Sequence, residues 1–173
     1  MEQAEIARRI VEHMGDKVLQ HSEHCGQHSV LVRPADLRAA LLFLRDTADL
    51  DFEMLMDVGG VDYLGYDDRE WRFEVAYQLL SLRLGHRFRV KVAVPDDKTE
   101  VPTVWDLWRV ANWMEREIWD LYGIRFTDHP NLRRILCHDD FRGHALRKDY
   151  PINRRQTLSR PVDNLLTDDP EWA

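Results

Sequence analysis

Three short stretches carry side chains that could do chemistry. His21-x-x-His24-Cys25-x-x-His28 sets three imidazoles and a thiol at spacings near those of a zinc knuckle, and both ligand types suit zinc. The plainer alternative is a polar, His-rich surface turn between two strands, where alternate residues point apart. Cys137-His138-Asp139-Asp140, with His144 close by, could supply a nucleophile and a base. Adjacent residues rarely face one another, however, and no orienting third member is evident. Glu115, Glu117 and Asp120 crowd the last turns of a predicted helix, with Arg116 able to pair with Asp120 at i,i+4. Acids at a helix C-terminus oppose the macrodipole. They call for an external cation, from an Arg of the tail or of a partner, unless they simply form a solvated face.

Other chemistry is missing its frame. Gly59-Gly60 is a lone pair without a phosphate-loop or dinucleotide-binding pattern. No G-x-S-x-G or H-E-x-x-H occurs. Two cysteines are too few to hold an iron–sulfur cluster, which typically takes four ligands. The residues alone therefore predict no catalytic, cofactor-binding or metal site in this chain.

The chain has 173 residues, enough for one domain with a real core. Hydrophobic residues make up 44% and charged residues 32%, ordinary proportions for a globular protein. Mean hydropathy is -0.51, and no apolar run approaches the ~18 residues of a membrane span. The start, MEQAEIARRI, lacks an apolar signal region. These features predict a cytoplasmic chain with no membrane insertion of its own. The net charge of -7 argues against nonspecific nucleic-acid binding. Charge is uneven: residues 1–123 carry 15 basic against 23 acidic side chains, whereas residues 129–155 carry 7 against 3. That local basic stretch suits an acidic partner.

The periodicity predicts the elements that must position these groups. Ile6, Ile10 and Met14 define a helix over 2–14, which Gly15 ends. Strands follow at 17–21 and 28–33. Pro34 then opens a helix with Leu37, Leu41, Leu44 and Ala48 inward. Period-2 alternation marks three strands, with Phe52, Met54, Met56 and Val58 on one face of the first. Trp71 to Leu79 and Phe88 to Val94 supply the other two. The short Leu84-Gly85-His86 link makes the last two an antiparallel hairpin. Gly59-Gly60 to Arg69 reads as a polar loop. A helix over 104–122, capped by Thr103 with Asp106 three residues on, presents a seam from Val104 to Leu121. Its tryptophan flank is too broad for one sheet face to cover. After Gly123 the periodicity stops and four prolines break any long helix. The expectation is an α+β domain, an antiparallel sheet packed with helices, over residues 1–123. Residues 124–173 are an extended C-terminal arm that orders on a partner.

At residues 115–151 the sequence reads ERE-IWDLYGIRF-x-x-HPNLRRIL…F-RGHALRKDYP. It resembles the signature of the C subunit, or 30-kDa subunit family, of NADH–quinone oxidoreductase, respiratory complex I. Val61-Asp62-Tyr63, Arg72-Phe73-Glu74-Val75 and Arg89-Val90-Lys91-Val92 extend the likeness upstream. Ala145 stands where the family usually has proline, and Trp119 where Tyr or Phe is common. The resemblance implies a non-catalytic scaffold subunit of the peripheral arm, packed against the D-type, quinone-site subunit. It would act on the cytoplasmic face of the membrane, in a complex that couples NADH-to-quinone electron transfer to ion translocation. FMN and iron–sulfur clusters, like the NADH and quinone sites, would belong to partner subunits. The brevity of the chain suits a C-type member not fused to its D-type neighbour. By the same resemblance, Glu115, Arg116, Glu117, Asp120, Arg133, Arg134, Arg147, Lys148 and Asp149 are partner-interface residues that hold the helix end and arm through charge-assisted bonds. The rival within the resemblance is the equivalent small subunit of an energy-converting hydrogenase or related dehydrogenase. The rival outside it is an independent zinc or thiol enzyme built on the His/Cys clusters.

Overall fold

The computed structural model describes residues 1–154 and 156, except Asp67 and Asp97. The elements are α1 (Gln3–Met14), β1 (Val18–His24), β2 (Gln27–Val32), α2 (Leu37–Asp46), β3 (Met54–Asp62), β4 (Phe73–Leu80), β5 (Arg87–Val94), β6 (Val101–Pro102), α3 (Ala111–Tyr122) and β7 (Phe126–Thr127). Five strands form one sheet in the order β1-β2-β5-β4-β3. Its pairs are antiparallel except β2–β5, which is parallel, with Val30 beside Val90. The expected α+β class is thus observed, with a mixed rather than purely antiparallel sheet. A crossover through α2, β3 and β4 separates β2 from β5, which is what lets them run parallel.

The helices bury one stripe each. Ile6, Ile10 and Met14 of α1 and Leu37, Leu41 and Leu44 of α2 pack with Val75, Tyr77, Val90 and Val92 of the sheet. Each fully buried side chain of this kind contributes about 1.5–3 kcal/mol. Gly15 ends α1 at φ 57. Thr47 ends α2, its hydroxyl donating to the Phe43 carbonyl at 2.6 Å. Ala48 therefore lies beyond the helix and is exposed, not inward as its spacing predicted.

Three further expectations are corrected. In β3 a bulge between Leu55 and Asp57 shifts the phase, so Leu55 and Val58 are buried while Met54 faces out. The strand also runs on through Gly59-Gly60, which the sequence placed in a loop. Gly60 is needed there: a Cβ would sit 2.8 Å from the Tyr122 ring of α3. The predicted helix over 104–122 begins only at Ala111. Upstream, the Thr103 hydroxyl and the Val104 amide are both taken by Glu115, and Asp106 pairs with Arg38. Trp108 turns inward to donate to the Glu53 carbonyl at 2.9 Å. Residues 104–110 are thus folded as turns against the domain.

Candidate functional site

A dense set of polar contacts lies where the chain after β7 returns over the C-terminal end of α3. Gly123 stops α3 in the left-handed region, at φ 78, with its N–H on the Trp119 carbonyl. The chain then enters β7, which pairs with β6, and doubles back. Asp120, fully buried on the last turn of α3, anchors that return. Its Oδ2 accepts the backbone N–H groups of Ile135, Leu136 and Cys137 at 3.0, 2.8 and 2.9 Å. Arg134 meets its Oδ1 at 2.5 Å and reaches on to the Phe141 and Gly143 carbonyls. Burial pushes the Asp120 carboxyl up, but these donors outweigh it and hold it at about 2.

Other contacts continue the strap. Arg116 donates to the carbonyls of Arg133 and Arg134, both at 3.1 Å. The Asp120 carbonyl, an orphan acceptor of the helix end, takes His144 Nδ1 at 2.9 Å, and that of Tyr122 takes Arg147 Nε at 2.5 Å. The Arg147 cation complements the helix C-terminus. Farther along, the Lys148 amide donates to Asp62 at 2.9 Å, and Arg72 bridges Asp62 and Asp149. Asp62 is buried. Burial pushes its carboxyl up, but Arg72 and the amides of Lys148 and Leu64 carry the net shift downward.

Asp120, at the helix end, is therefore matched by Arg134 of the arm itself. Glu115, Arg116 and Asp120, expected at the partner interface, are buried inside the chain. Arg134 and Arg147, also expected at the interface, grip the chain's own carbonyls with their guanidinium groups. Lys148 lies over the Tyr66 ring at 4.1 Å, and Asp149 pairs with Arg72. Glu117 and Arg133 are exposed. Trp119 is covered by the arm, edge-on to His144, while Trp113 on the same helix is 59% exposed. The site residues that sequence reasoning left out are Asp62, Arg72 and His129, while Thr103 and His144 take roles other than the helix cap and cluster member expected of them. Asp62 and Arg72 sat in the quoted motifs, but nothing local marked them as the far anchor of the arm.

The two chemical clusters fare differently. His21 and His28 meet across the β1–β2 hairpin at 3.0 Å, and Cys25 occupies the exposed turn at φ 52. Among the described residues no group of three or more His, Cys, Asp or Glu side chains converges as a metal-ion set. Cys137 gives its N–H to Asp120, and burial followed by that carboxylate pushes its thiol up. That is the reverse of what activates a nucleophile. His138 packs edge-on to Phe141. Among the described residues no helix is long and apolar enough to cross a membrane.

A mixed five-stranded sheet flanked by helices, with a polar strap folded back over its last helix, defines an α+β domain. Residues 30–156 match the family described as the 30-kDa subunit of respiratory-chain NADH dehydrogenase, and the chain belongs to that family. It is 46% identical over 149 residues to the C subunit of NADH-quinone oxidoreductase from Hyphomonas neptunium, covering 86% of this chain and 72% of that one. The corresponding subunit of Paramagnetospirillum magneticum is 48% identical over 128 residues, 74% of this chain and 62% of that one. Among solved structures, the trypsin-resistant fragment of Nqo5 superposes with a TM-score of 0.66 at 33% identity, over 76% of this chain and all of the fragment. A chain of an archaeal membrane-bound sulfane sulfur reductase complex shares the fold, with a TM-score of 0.71 at 23% identity over 88% of each chain.

Proposed function

We propose that this chain is a scaffold subunit, without an active site of its own, in the peripheral arm of a membrane-associated NADH–quinone oxidoreductase. It packs against the D-type subunit on the cytoplasmic face of the membrane. NADH, FMN, iron–sulfur clusters and quinone are bound by partner subunits, and electrons bypass this chain. Family membership supports the assembly. The observation that carries the scaffold reading is the contrast between the two sides of the arm and α3. Inward polar groups are matched within the chain, while Trp113 and Val110 of α3 and its N-terminal edge, and Leu136 and Leu146 of the arm, stay exposed. Exposed large apolar groups beside a charged rim suit a protein interface.

The test is a tagged pull-down of the full chain from solubilised native membranes, with identification of every co-purifying protein and an NADH–quinone assay. Trp113→Asp and Glu117→Lys are the informative variants, because both side chains are exposed and neither donates to the strap. The expected result is recovery of D-type and NADH-binding subunits with the wild type, and much reduced recovery with the variants at unchanged melting temperature. Recovery with a nickel hydrogenase subunit would assign the chain to an energy-converting hydrogenase instead. A chain that comes down alone would overturn the scaffold reading.

A further inference from the structure

The α-helices lie on one face of the five-stranded sheet. The stripes of α1 and α2 pack with Val75, Tyr77, Val90 and Val92, and α3 sets the Tyr122 ring against Gly60, which pairs with Val75. Side chains of a strand alternate between faces, so the intervening residues point to the other side. There Asp57, Gln78 and Arg89 form one row across β3, β4 and β5, and Gly59, Ala76 and Lys91 form the next. Gly59 and Ala76 bring almost no bulk, and a cavity of about 320 Å³ lies over them, walled by Val61, Tyr63, Gln78, Arg89 and Lys91. A second cavity, of about 350 Å³, continues from Asp57, Gln78 and Arg89 toward Arg87 and Gln27 at the end of the sheet. Together they make one trough beside β5.

The trough reverses the charge of the domain. Residues 1–123 carry 15 basic against 23 acidic side chains. Here Arg69, Arg87, Arg89 and Lys91 meet only two acids, Glu74 and Asp57. Glu74 is buried and already held, by Lys91 at 3.2 Å and Arg69 at 3.4 Å. Asp57 stands on the β3 wall, with Gln78 between it and Arg89. Among the described residues no carboxylate pairs with Arg87 or Arg89. Arg89 is held by two neutral amides instead: Nε donates to Gln78 Oε1 at 3.1 Å and Nη2 to Gln27 Oε1 at 3.2 Å. These bonds fix one edge of the guanidinium and leave Nη1 without a partner among the described residues. A guanidinium has five N–H donors, so the edge formed by Nη1 and the second proton of Nη2 can take a carboxylate bidentately.

The spacing of the cations says what shape of anion fits. Arg87, Arg89 and Lys91 alternate along one strand and so recur at about 6.6–6.8 Å. Alternate side chains of any other extended chain recur at the same interval. A phosphate ion or a lipid surface has no such repeat. We propose that the trough docks an extended acidic segment of a neighbouring protein, with carboxylates at alternate residues seated over Arg87, Arg89 and Lys91. Arg89 takes its carboxylate through the open edge. Lys91 shares its charge with Glu74 and holds its carboxylate least. Asp57 repels acids on the β3 side and so directs the segment onto β5. This face lies across the sheet from α3, so the contact is separate from the interface proposed above and lets the chain bridge two neighbours.

The test is an amide NMR titration of the ¹⁵N-labelled full chain, at low salt, with a short peptide alternating serine and glutamate. A peptide of the same composition with consecutive glutamates is the register control, and inorganic phosphate is the control for a simple anion site. The expected result is movement of the Gly59, Ala76, Gln78, Arg89 and Lys91 amides with the alternating peptide, suppressed by added salt, and several-fold weaker binding of the permuted one. Arg89→Gln should weaken the alternating peptide about tenfold, the loss of one charge-assisted contact. Arg87→Gln, at an exposed side chain, should weaken it as well and serves if R89Q does not fold. Equal affinity for the permuted peptide or for phosphate overturns the proposal. So do trough amides that stay still at about 5 mM alternating peptide, which excludes even a millimolar site, and shifts confined to the basic arm. The titration uses this chain alone, so it succeeds or fails independently of the pull-down.

Discussion

Arg134 places Nη1 2.5 Å from Oδ1 of Asp120, while the other oxygen of that carboxylate receives three consecutive backbone amides from Ile135, Leu136 and Cys137. One buried acid on the last turn of α3 thus organises four residues of a chain segment that has no regular secondary structure. Asp120→Ala leaves the three amides and a guanidinium without their acceptor. We expect a loss of about 3–5 kcal/mol in urea denaturation, the range for breaking a buried charged pair.

The same carboxyl sets an acid limit on the fold. Its folded value of about 2 lies below the ordinary aspartate value, so its contribution is complete above about pH 4 and is lost as pH falls through about 2. At about 1.4 kcal/mol per unit this amounts to about 2 kcal/mol. Asp120→Asn should be less stable at neutral pH and flatter across that window, which stability measured by denaturant titration from about pH 5 to 2 would show.

Gly123 ends α3 at φ 78, and a Cβ there would lie 2.5 Å from Arg147 Nη2 and 2.6 Å from the His144 ring. Gly123→Ala combines left-handed strain with displacement of the arm. We expect a loss of about 1–3 kcal/mol and a lower melting temperature. Gly59→Ala is the control. Its Cβ would meet nothing within 4 Å, and its effect should stay within about 0.5 kcal/mol.

Arg72 bridges two carboxylates in different settings. Asp62 is buried, whereas the Asp149 side chain is 48% exposed. Exposed pairs are worth about 0–1 kcal/mol. Asp149→Ala should therefore cost less than about 1 kcal/mol. Arg72→Met strands a buried acid and should cost about 3 kcal/mol, with the Asp62 carboxyl titrating at higher pH. A double-mutant cycle on chemical denaturation separates the two couplings.

Cys25 is exposed on the hairpin turn, while Cys137 is partly covered and its thiol is pushed up by burial and by Asp120. Iodoacetamide at neutral pH should label Cys25 first. Cys137 should follow only when the arm opens, and Asp120→Ala should speed it. Mass spectrometry of timed aliquots reads both. Faster labelling of Cys137 than of Cys25 in the wild type would contradict the packing of the arm.

The legible parts of this protein are those whose cause is local. The 3.6-residue stripe of Ile6, Ile10 and Met14 and the alternation through Phe73 to Leu79 arise from burial of one face, which the sequence carries at short range. The crowded acids of α3 are legible as an electrostatic problem, since neighbours on one helix cannot avoid one another. The β3 bulge, the late start of α3 at Ala111 and the outward turn of Ala48 are not, because each is set by contacts outside the local pattern. Trp108 turns in toward Glu53, and Thr103 caps no helix because Glu115 holds it.

Local pattern was enough for the α+β class and the major elements, and one specific motif was enough for the family. Which cation answers which acid was settled in three dimensions. Asp120 faces Arg134, and Asp62 faces Arg72 and the Lys148 amide, across separations of 10 to 86 residues. Charge pairing has a weak sequence signature because any Arg can satisfy any Asp in principle. Chain topology and burial select the pair, and here they build the strap that holds the arm on α3.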